Sequence, residues 1–179
     1  MAATLIILTG PVGGGKSTVA LRLAEWLRAL GERVAVVDLD LLADMARPSL
    51  GTGDTDLWQT ARRACAGLAD GFFRQGFDTV IIEGEFFSPA ELDALRDGLA
   101  TSVALQFVTL DVSYEQTLAR VSGDPTRGLS RDPAFLRRMH EQYRVALPFL
   151  RSVGPVIPAD TALPEALAEE IYSKLATAD

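Results

Sequence analysis

Thiols and imidazoles are almost absent from this chain, which has one cysteine and one histidine among its 179 residues. Cys65 has no second cysteine with which to form a disulfide or a thiolate metal site. The composition therefore favours a reducing cytoplasm, and we expect Cys65 to be a buried apolar residue. His140 has no evident serine or cysteine partner, so we expect it on a helix surface.

Basic side chains are also in the minority, with 17 Lys and Arg residues against 24 Asp and Glu residues and a net charge of -7. This balance argues against general binding of nucleic acid or of an anionic membrane. The opening MAATLIILTG lacks basic residues, and its apolar run is too short to span a bilayer. We expect a cytoplasmic protein with a small-molecule partner, and the residues leave the oligomeric state open.

Internal repeats, low-complexity tracts and obvious linkers are missing as well. With 48% hydrophobic residues the chain can bury one core and is short for two, so we expect a single domain over residues 1–179. Continuous apolar runs alternate with segments of helical spacing about five times, which predicts an α/β fold with a parallel sheet and helices on both faces. Residues 47–56 are the first candidate for a long loop, and residues 122–133 are the second.

The segment GPVGGGKST matches the pattern G-x-x-x-x-G-K-[ST] through Gly10, Gly15, Lys16 and Ser17, between a predicted strand and a predicted helix. Glycines allow backbone N–H groups to turn inward around a polyphosphate, and the helix N-terminus adds to that field. Lys16 would reach the β- and γ-phosphates, and the Ser17 hydroxyl would hold Mg²⁺. We therefore expect ATP bound by Gly10, Gly13, Gly14, Gly15, Lys16, Ser17 and Thr18. An Asn-Lys-x-Asp segment that would select guanine is absent.

Acidic side chains follow the second and third predicted strands. Asp38 and Asp40 end the run VAVVDLD, where a carboxylate could orient an acceptor hydroxyl and take its proton. We interpret Asp40 as this catalytic base and Asp38 as a magnesium ligand through water, while an N-cap is the alternative for Asp40. Glu83 and Glu85 are candidates for facing the acceptor, with a solvated loop position as the alternative for each.

Arginines surround the second predicted loop. Arg120 ends the preceding helix, and Arg127 and Arg131 lie within a segment of about 122–132 that we interpret as a lid over the triphosphate. Arg127 is the candidate for the catalytic arginine, with Arg120 and Arg131 as nucleotide contacts. Between the second and third strands, Arg47 and Trp58 are candidates for binding the acceptor. Ordinary core tryptophan and surface arginine remain the alternatives for that segment.

These residues resemble the P-loop small-molecule kinases related to shikimate kinase, adenylylsulfate kinase, gluconate kinase, chloramphenicol phosphotransferase and the kinase domain of polynucleotide kinase. The specific match is GPVGGGKST, and the DLD at 38–40 is similar to an Asp-x-Asp whose second aspartate meets the acceptor hydroxyl. The resemblance implies a P-loop NTPase fold with strand order 2-3-1-4-5, a lid, ATP, Mg²⁺ and transfer to a hydroxyl. Several relatives carry an arginine three residues after that aspartate, where this chain has Ala43, and this departure counts against an anionic acceptor held in that way.

The leading hypothesis is therefore an ATP-dependent kinase, a phosphotransferase with an alcohol group as acceptor. An antibiotic phosphotransferase of the chloramphenicol type and a polynucleotide 5′-hydroxyl kinase are the alternatives within that class. A nucleotide-binding switch or ATPase acting on a protein partner is the alternative from another class. Paired aspartates and an arginine-bearing loop favour the kinase, because a switch needs no acceptor base.

Overall fold

A computed structural model describes residues 3–50, 55–125 and 127–176, with side chains throughout these ranges except at 47–50, 55 and 56. The strands are β1 (Thr4–Thr9), β2 (Val34–Asp38), β3 (Thr79–Glu83), β4 (Ala104–Asp111) and β5 (Val156–Pro158). The α-helices are α1 (Lys16–Ala29), α2 (Leu39–Leu50), α3 (Thr55–Arg74), α4 (Pro89–Asp97), α5 (Tyr114–Ser122), α6 (Pro133–Val153) and α7 (Pro164–Ala176). None of the helices in the described ranges has both the length and the apolar character needed to cross a membrane.

The strands form one parallel sheet in the order β2-β3-β1-β4-β5. The central strand β1 pairs on both sides, with Leu8 aligned to Glu83 of β3 and to Val108 of β4. Continuous apolar strands fit this position because both of their faces are covered by helices. The predicted five-stranded parallel sheet, and the order expected from the resemblance, are confirmed.

The core consists of two layers, one on each face of the sheet. Alternate residues of β1 point to opposite faces, so Leu5 and Ile7 pack with one layer while Ile6 and Leu8 pack with the other. Side chains of α3, α4 and α6 complete the first layer, and those of α1 and α7 complete the second. These apolar layers fix the carboxyl ends of the strands, from which the polar residues of the site extend.

Three of the predicted polar segments meet at this carboxyl edge. The glycine-rich loop follows β1, Asp38 is the last residue of β2, and Glu83 is the last residue of β3. Asp38 is directly aligned with Glu83, and Glu83 is aligned with Leu8 just before the loop. Ligands of parallel sheets bind at this edge, so the fold brings the candidate residues to the expected place.

The prediction of a long loop at residues 47–56 is wrong. Helix α2 continues to Leu50 and α3 begins at Thr55, and residues 51–54 of the predicted loop lie outside the described residues. The two helices pack against each other, and this packing outweighs the turn-forming residues that suggested a loop. The second predicted loop is also shortened, because a 3-10 helix occupies Leu129–Arg131 before α6 begins.

Candidate active site

The glycine-rich loop wraps over the beginning of α1. Gly13 and Gly15 have φ angles of 75° and 88°, in the left-handed region that side chains other than glycine rarely adopt. A Cβ atom on Gly13 would also lie 2.7 Å from Cγ1 of Val121 in α5. Helix α1 begins directly after Gly15 without a side-chain cap, so its first N–H groups suit an anion such as phosphate.

The Lys16 ammonium lies at the centre of this loop. It donates to the main-chain oxygens of Gly10 at 3.3 Å and Pro11 at 3.2 Å, and to Oε1 of Glu85 at 2.5 Å. Burial acts to lower the pKa of Lys16, but the negative charges of Glu85 and Glu83 act against it and the pKa is raised. Lys16 is therefore a buried cation held by a carboxylate at the site where the motif predicts phosphate.

A recess of about 70 Å³ opens above the loop. Its wall combines main-chain donors, two cations, three carboxylates and two hydroxyl residues, which are contributed by Val12, Gly13, Gly14, Gly15, Lys16, Ser17, Thr18, Asp40, Glu83, Glu85 and Arg127. Most of the residues predicted to bind the nucleotide and to act in catalysis are thus brought to one small space. Its narrow shape and its N–H and cationic donors suit the phosphates of a nucleotide.

Asp38, and not Asp40, caps helix α2. The Asp38 Oδ1 atom accepts hydrogen bonds from the main-chain N–H groups of Asp40 at 2.8 Å and Leu41 at 3.1 Å. The N-cap alternative for Asp40 is therefore wrong, because the residue before the helix satisfies these donors. This cap holds the first turn of α2 and so sets the direction in which the Asp40 side chain leaves it.

Asp40 stands between two spaces, since it lines both the phosphate recess and a second cavity of about 670 Å³. Its carboxylate is solvent-accessible on this wall, yet the protein packed around it removes part of its hydration. This desolvation and the negative charge of Glu85 raise the pKa of Asp40, while Lys16 acts to lower it. A carboxylate with a raised pKa is a stronger base than an ordinary aspartate.

Ser17 and Glu83 lie on the side of the recess nearest the sheet. The pKa of the buried Glu83 carboxylate is raised by burial, while the Lys16 charge and the Ser17 hydroxyl act to lower it. Oxygen donors of this kind suit Mg²⁺, which uses one or two protein side chains together with substrate phosphates. Ser17, Asp38 and Glu83 are the residues here whose chemistry fits the ion.

Glu85 extends from the turn after β3 into the larger space. Together with Trp58, Phe135 and Met139 it lines both the 670 Å³ cavity and an adjoining cavity of about 300 Å³. Because the two cavities share these four residues, we treat them as one space and name it the acceptor cleft. Trp58 is half-buried: it packs against the first core layer and lines the same space as Glu85.

The three candidate arginines occupy different positions. Arg127 lines both the phosphate recess and the acceptor cleft, and its Nε lies 3.3 Å from Oδ2 of Asp124. Arg120 donates to the main-chain oxygens of Gly14 at 3.0 Å, Ala159 at 2.8 Å and Asp160 at 3.0 Å, so it braces the glycine-rich loop against the end of β5. Arg131 is exposed on the 3-10 helix and lines neither space.

Arg62, four residues after Trp58 on α3, is not the surface arginine that was the alternative for this segment. It is 3% exposed, and its Nη2 atom donates to the main-chain oxygen of Glu85 at 2.8 Å and lies 3.0 Å from Oε1 of Glu91. Its guanidinium also lies over the Phe86 ring, 5.4 Å from the centroid. Arg62 is therefore an internal brace that fixes the turn carrying Glu85. Arg47, the other arginine candidate of this segment, has its side chain outside the described residues.

Several residues of the cleft were missed. Asp44 lines it four residues after Asp40, and Phe135 and Met139 have the same spacing on α6. An i,i+4 repeat on a helix places side chains on one face, and this signal could have found all three. The expectation that His140 lies on a helix surface is wrong, because it is half-buried with Nε2 2.9 Å from the main-chain oxygen of Val112. Cys65 is buried, as predicted.

The fold and the loop together define a P-loop protein, with a parallel sheet of order 2-3-1-4-5 and a phosphate-binding loop after its central strand. The family model AAA_33, described as an AAA domain, matches residues 5–145. The chain therefore belongs to this family of P-loop kinases, and membership implies nucleotide binding and phosphoryl transfer.

Individual proteins match either a part of this sequence or its fold. A probable adenylyl-sulfate kinase of Pyrococcus abyssi is 46% identical over 46 residues, which is 26% of this chain and 26% of that protein. This chain therefore matches only about a quarter of the length of that curated relative. A sugar kinase from Janibacter sp. HTCC2649 has a similar structure, with TM-score 0.70, 21% identity and coverage of 97% and 95% of the two chains. A gluconokinase from Sinorhizobium meliloti 1021 gives TM-score 0.71, 18% identity and coverage of 98% and 93%.

Proposed function

We propose that this protein is an ATP-dependent kinase that transfers the γ-phosphoryl group to a hydroxyl of a small-molecule acceptor. The observation that carries the proposal is the position of Asp40, which lines both the phosphate recess and the acceptor cleft. Phosphoryl transfer to an alcohol needs a carboxylate at the junction of donor and acceptor spaces. The names of three of the similar proteins, a probable adenylyl-sulfate kinase, a sugar kinase and a gluconokinase, support the same class.

The donor side of the site is the glycine-rich loop. Its main-chain N–H groups and the Thr18 side chain would hold the phosphates, and Lys16 would contact the transferring group. Ser17 and Asp38 would hold Mg²⁺, and the Glu83 carboxylate lines the same recess as Ser17. The ion, when bound, neutralises charge that develops on the phosphate oxygens. Arg120 keeps the loop in place through Gly14 and thereby supports the nucleotide indirectly.

The acceptor side is the cleft between α2, α3 and α6. Asp40 and Glu85 both face the two spaces, and Asp40 would accept the proton of the attacking hydroxyl because Glu85 is held by Lys16. Trp58, Phe135 and Met139 would hold the body of the acceptor by apolar contact. Arg127 would neutralise charge on the transferring group, and residues 122–132 would act as a lid that excludes water.

The proposal is tested by coupled ADP release with Mg-ATP, alone and with hydroxyl compounds that span sugars, sugar acids, nucleosides, oligonucleotide ends and hydroxyl-bearing antibiotics. We expect strong stimulation by one class, and we expect Lys16→Ala to remove at least about 99% of it because charge stabilisation is lost. Near-full turnover by Lys16→Ala would refute the role of the loop. The same panel tests the chloramphenicol-type and polynucleotide alternatives. ATP binding without stimulation by any acceptor would favour the nucleotide-dependent switch.

A further inference from the structure

The acceptor cleft carries more negative than positive charge. Among the side chains that the structure describes, its acidic members are Asp40, Asp44, Glu85 and Glu91, and its basic members are Arg62 and Arg127. Both arginines already have acidic neighbours, since Arg62 lies 3.0 Å from Glu91 and Arg127 lies 3.3 Å from Asp124. An incoming carboxylate or phosphate would therefore meet an acidic wall whose cations are already paired.

Arg62 is the residue that an anionic acceptor would need most, yet it is committed to the protein. Its Nη2 holds both the Glu91 carboxylate and the Glu85 main-chain oxygen, and the side chain is 3% exposed. Its Nε atom has no hydrogen-bond partner within the described part of the chain. Glu91 already balances the positive charge of Arg62. An uncharged oxygen of the acceptor is therefore enough to satisfy the remaining Nε–H donor.

Nucleotide binding would release the Glu85 carboxylate from Lys16 and make it available to an acceptor. In this structure its carboxylate is held by Lys16, the residue that the proposed function assigns to the phosphates. Once Lys16 contacts a phosphate, the Glu85 carboxylate is left on the wall of the cleft without that partner. Three aromatic or thioether side chains, Trp58, Phe135 and Met139, lie around the same space. A carboxylate beside aromatic faces is an environment that recognises an ammonium group.

We propose that the acceptor is a hydroxyl compound that carries an ammonium group and an apolar ring, and that Glu85 is the specificity-determining residue that selects against anionic acceptors. This inference rests on the proposed function and narrows its substrate class. The ring would pack against Trp58 and Phe135, while the ammonium group would lie beside Glu85. The chemistry excludes sugar acids and phosphorylated sugars as preferred acceptors.

The test uses three compounds that share a ring, a sugar and several hydroxyls and differ in charge: benzyl glucosaminide, benzyl glucoside and benzyl glucuronide. Binding is followed by the fluorescence of Trp58 in the Trp26→Phe protein, with Mg²⁺ and a non-hydrolysable ATP analogue present, so turnover is not required. The chain has two tryptophans, and Trp26 on α1 is replaced so that the fluorescence signal comes from Trp58 alone.

We expect the amine to bind about 5- to 10-fold more tightly than the neutral glycoside, and the glucuronide to bind more weakly than both. Glu85→Gln should reduce the preference for the amine to less than about 2-fold, while Glu169→Gln, a charge removed from the exposed face of α7, should leave it unchanged. The preference should also decrease at high salt.

Equal affinities, tighter binding of the glucuronide or no binding of the amine would overturn the inference. Asp44→Asn is a second variant, because it removes a different negative charge from the wall of the same cleft, and it too should lower the preference. ADP release with the same compounds separates this inference from the proposed function. Phosphorylation with the glucuronide preferred would refute the inference alone. Preferred binding of the amine without phosphorylation of any compound of the wider acceptor panel would refute the kinase and leave only the charge selectivity of the cleft.

Discussion

The ammonium of Lys16 and the carboxylate of Glu85 lie 2.5 Å apart, although 69 residues separate them in the chain. Lys16 is 7% exposed and Glu85 is 16% exposed, so the pair is shielded from solvent. The motif assigns Lys16 to a phosphate, which means that a protein carboxylate holds the place of the ligand. In the function that we propose, a phosphate replaces Glu85 as a partner of Lys16, and this exchange links the donor site to the acceptor cleft.

Replacing Glu85 with glutamine should tighten ATP binding. The substitution keeps the shape of the side chain but removes the charge that competes with phosphate for Lys16 and that repels the triphosphate. We expect the Kd for Mg-ATP to fall by about 3- to 10-fold, as for loss of one shielded ion pair. Calorimetric titration measures it, with Glu169→Gln as a matched control. An unchanged or higher Kd in Glu85→Gln would show that Glu85 does not compete with the nucleotide.

Asp40→Asn should separate chemistry from nucleotide binding. Because asparagine cannot accept the hydroxyl proton, we expect turnover to fall by about 10²- to 10⁴-fold with the Kd for ATP nearly unchanged. Asp38→Asn is the matched comparison, since asparagine preserves the cap of α2 and should cost less in turnover. If Asp38→Asn loses the activity and Asp40→Asn retains it, the two roles are reversed.

Arg127 and Arg131 provide a paired test of the proposed lid. Arg127 lines both spaces of the site, whereas Arg131 is exposed and lines neither. Arg127→Ala should lower turnover by about 10- to 10³-fold because a cation near the transferring group is lost. Arg131→Ala should change it by less than about 3-fold, which departs from the sequence-based expectation that Arg131 contacts the nucleotide. Steady-state rates at saturating ATP and acceptor show which of the two arginines contributes to turnover.

Arg62 should matter to stability as well as to the site. Arg62→Ala leaves the Glu91 carboxylate and the Glu85 main-chain oxygen without their buried donor, which should cost about 3 kcal/mol in the free energy of unfolding. The neighbouring Arg63 is exposed on the same helix, and Arg63→Ala should change stability by less than about 0.5 kcal/mol. Urea unfolding measures both, and equal effects would contradict the internal role of Arg62.

Cys65 provides a pH test of the fold. Burial, with a smaller contribution from the charge of Asp38, raises the pKa of the Cys65 thiol to about 12. At pH 8.5 the native thiol should react with an aromatic disulfide reagent at least about 10³-fold more slowly than the thiol in urea. Since the unfolded thiol ionises first, stability should fall as pH rises from about 9 towards 12. Rapid labelling of the native protein would contradict the burial of this residue.

The sequence allowed the sheet and the phosphate loop to be predicted because both depend on local patterns. Apolar runs mark the strands, and the spacing from Gly10 to Ser17 marks the loop. The Lys16–Glu85 pair was not predictable, because it depends on how β1 and β3 pack beside each other. Arg62 was misjudged for the same reason, since its partner Glu91 belongs to α4. The cap of α2 depends on local sequence, since Asp38 directly precedes Leu39, the first residue of the helix. It could therefore have been predicted, but we considered Asp40 for that role instead.

The most direct test of the proposed kinase activity follows the γ-phosphate of ATP. Phosphorus NMR of the wild-type protein with Mg-ATP and the best acceptor from the panel distinguishes a phosphate ester from inorganic phosphate. We predict a phosphate-ester resonance that grows in step with ADP for the wild-type protein and that is absent from the spectrum with Asp40→Asn over the same time. Release of inorganic phosphate alone, or an ester formed equally by Asp40→Asn, would contradict it.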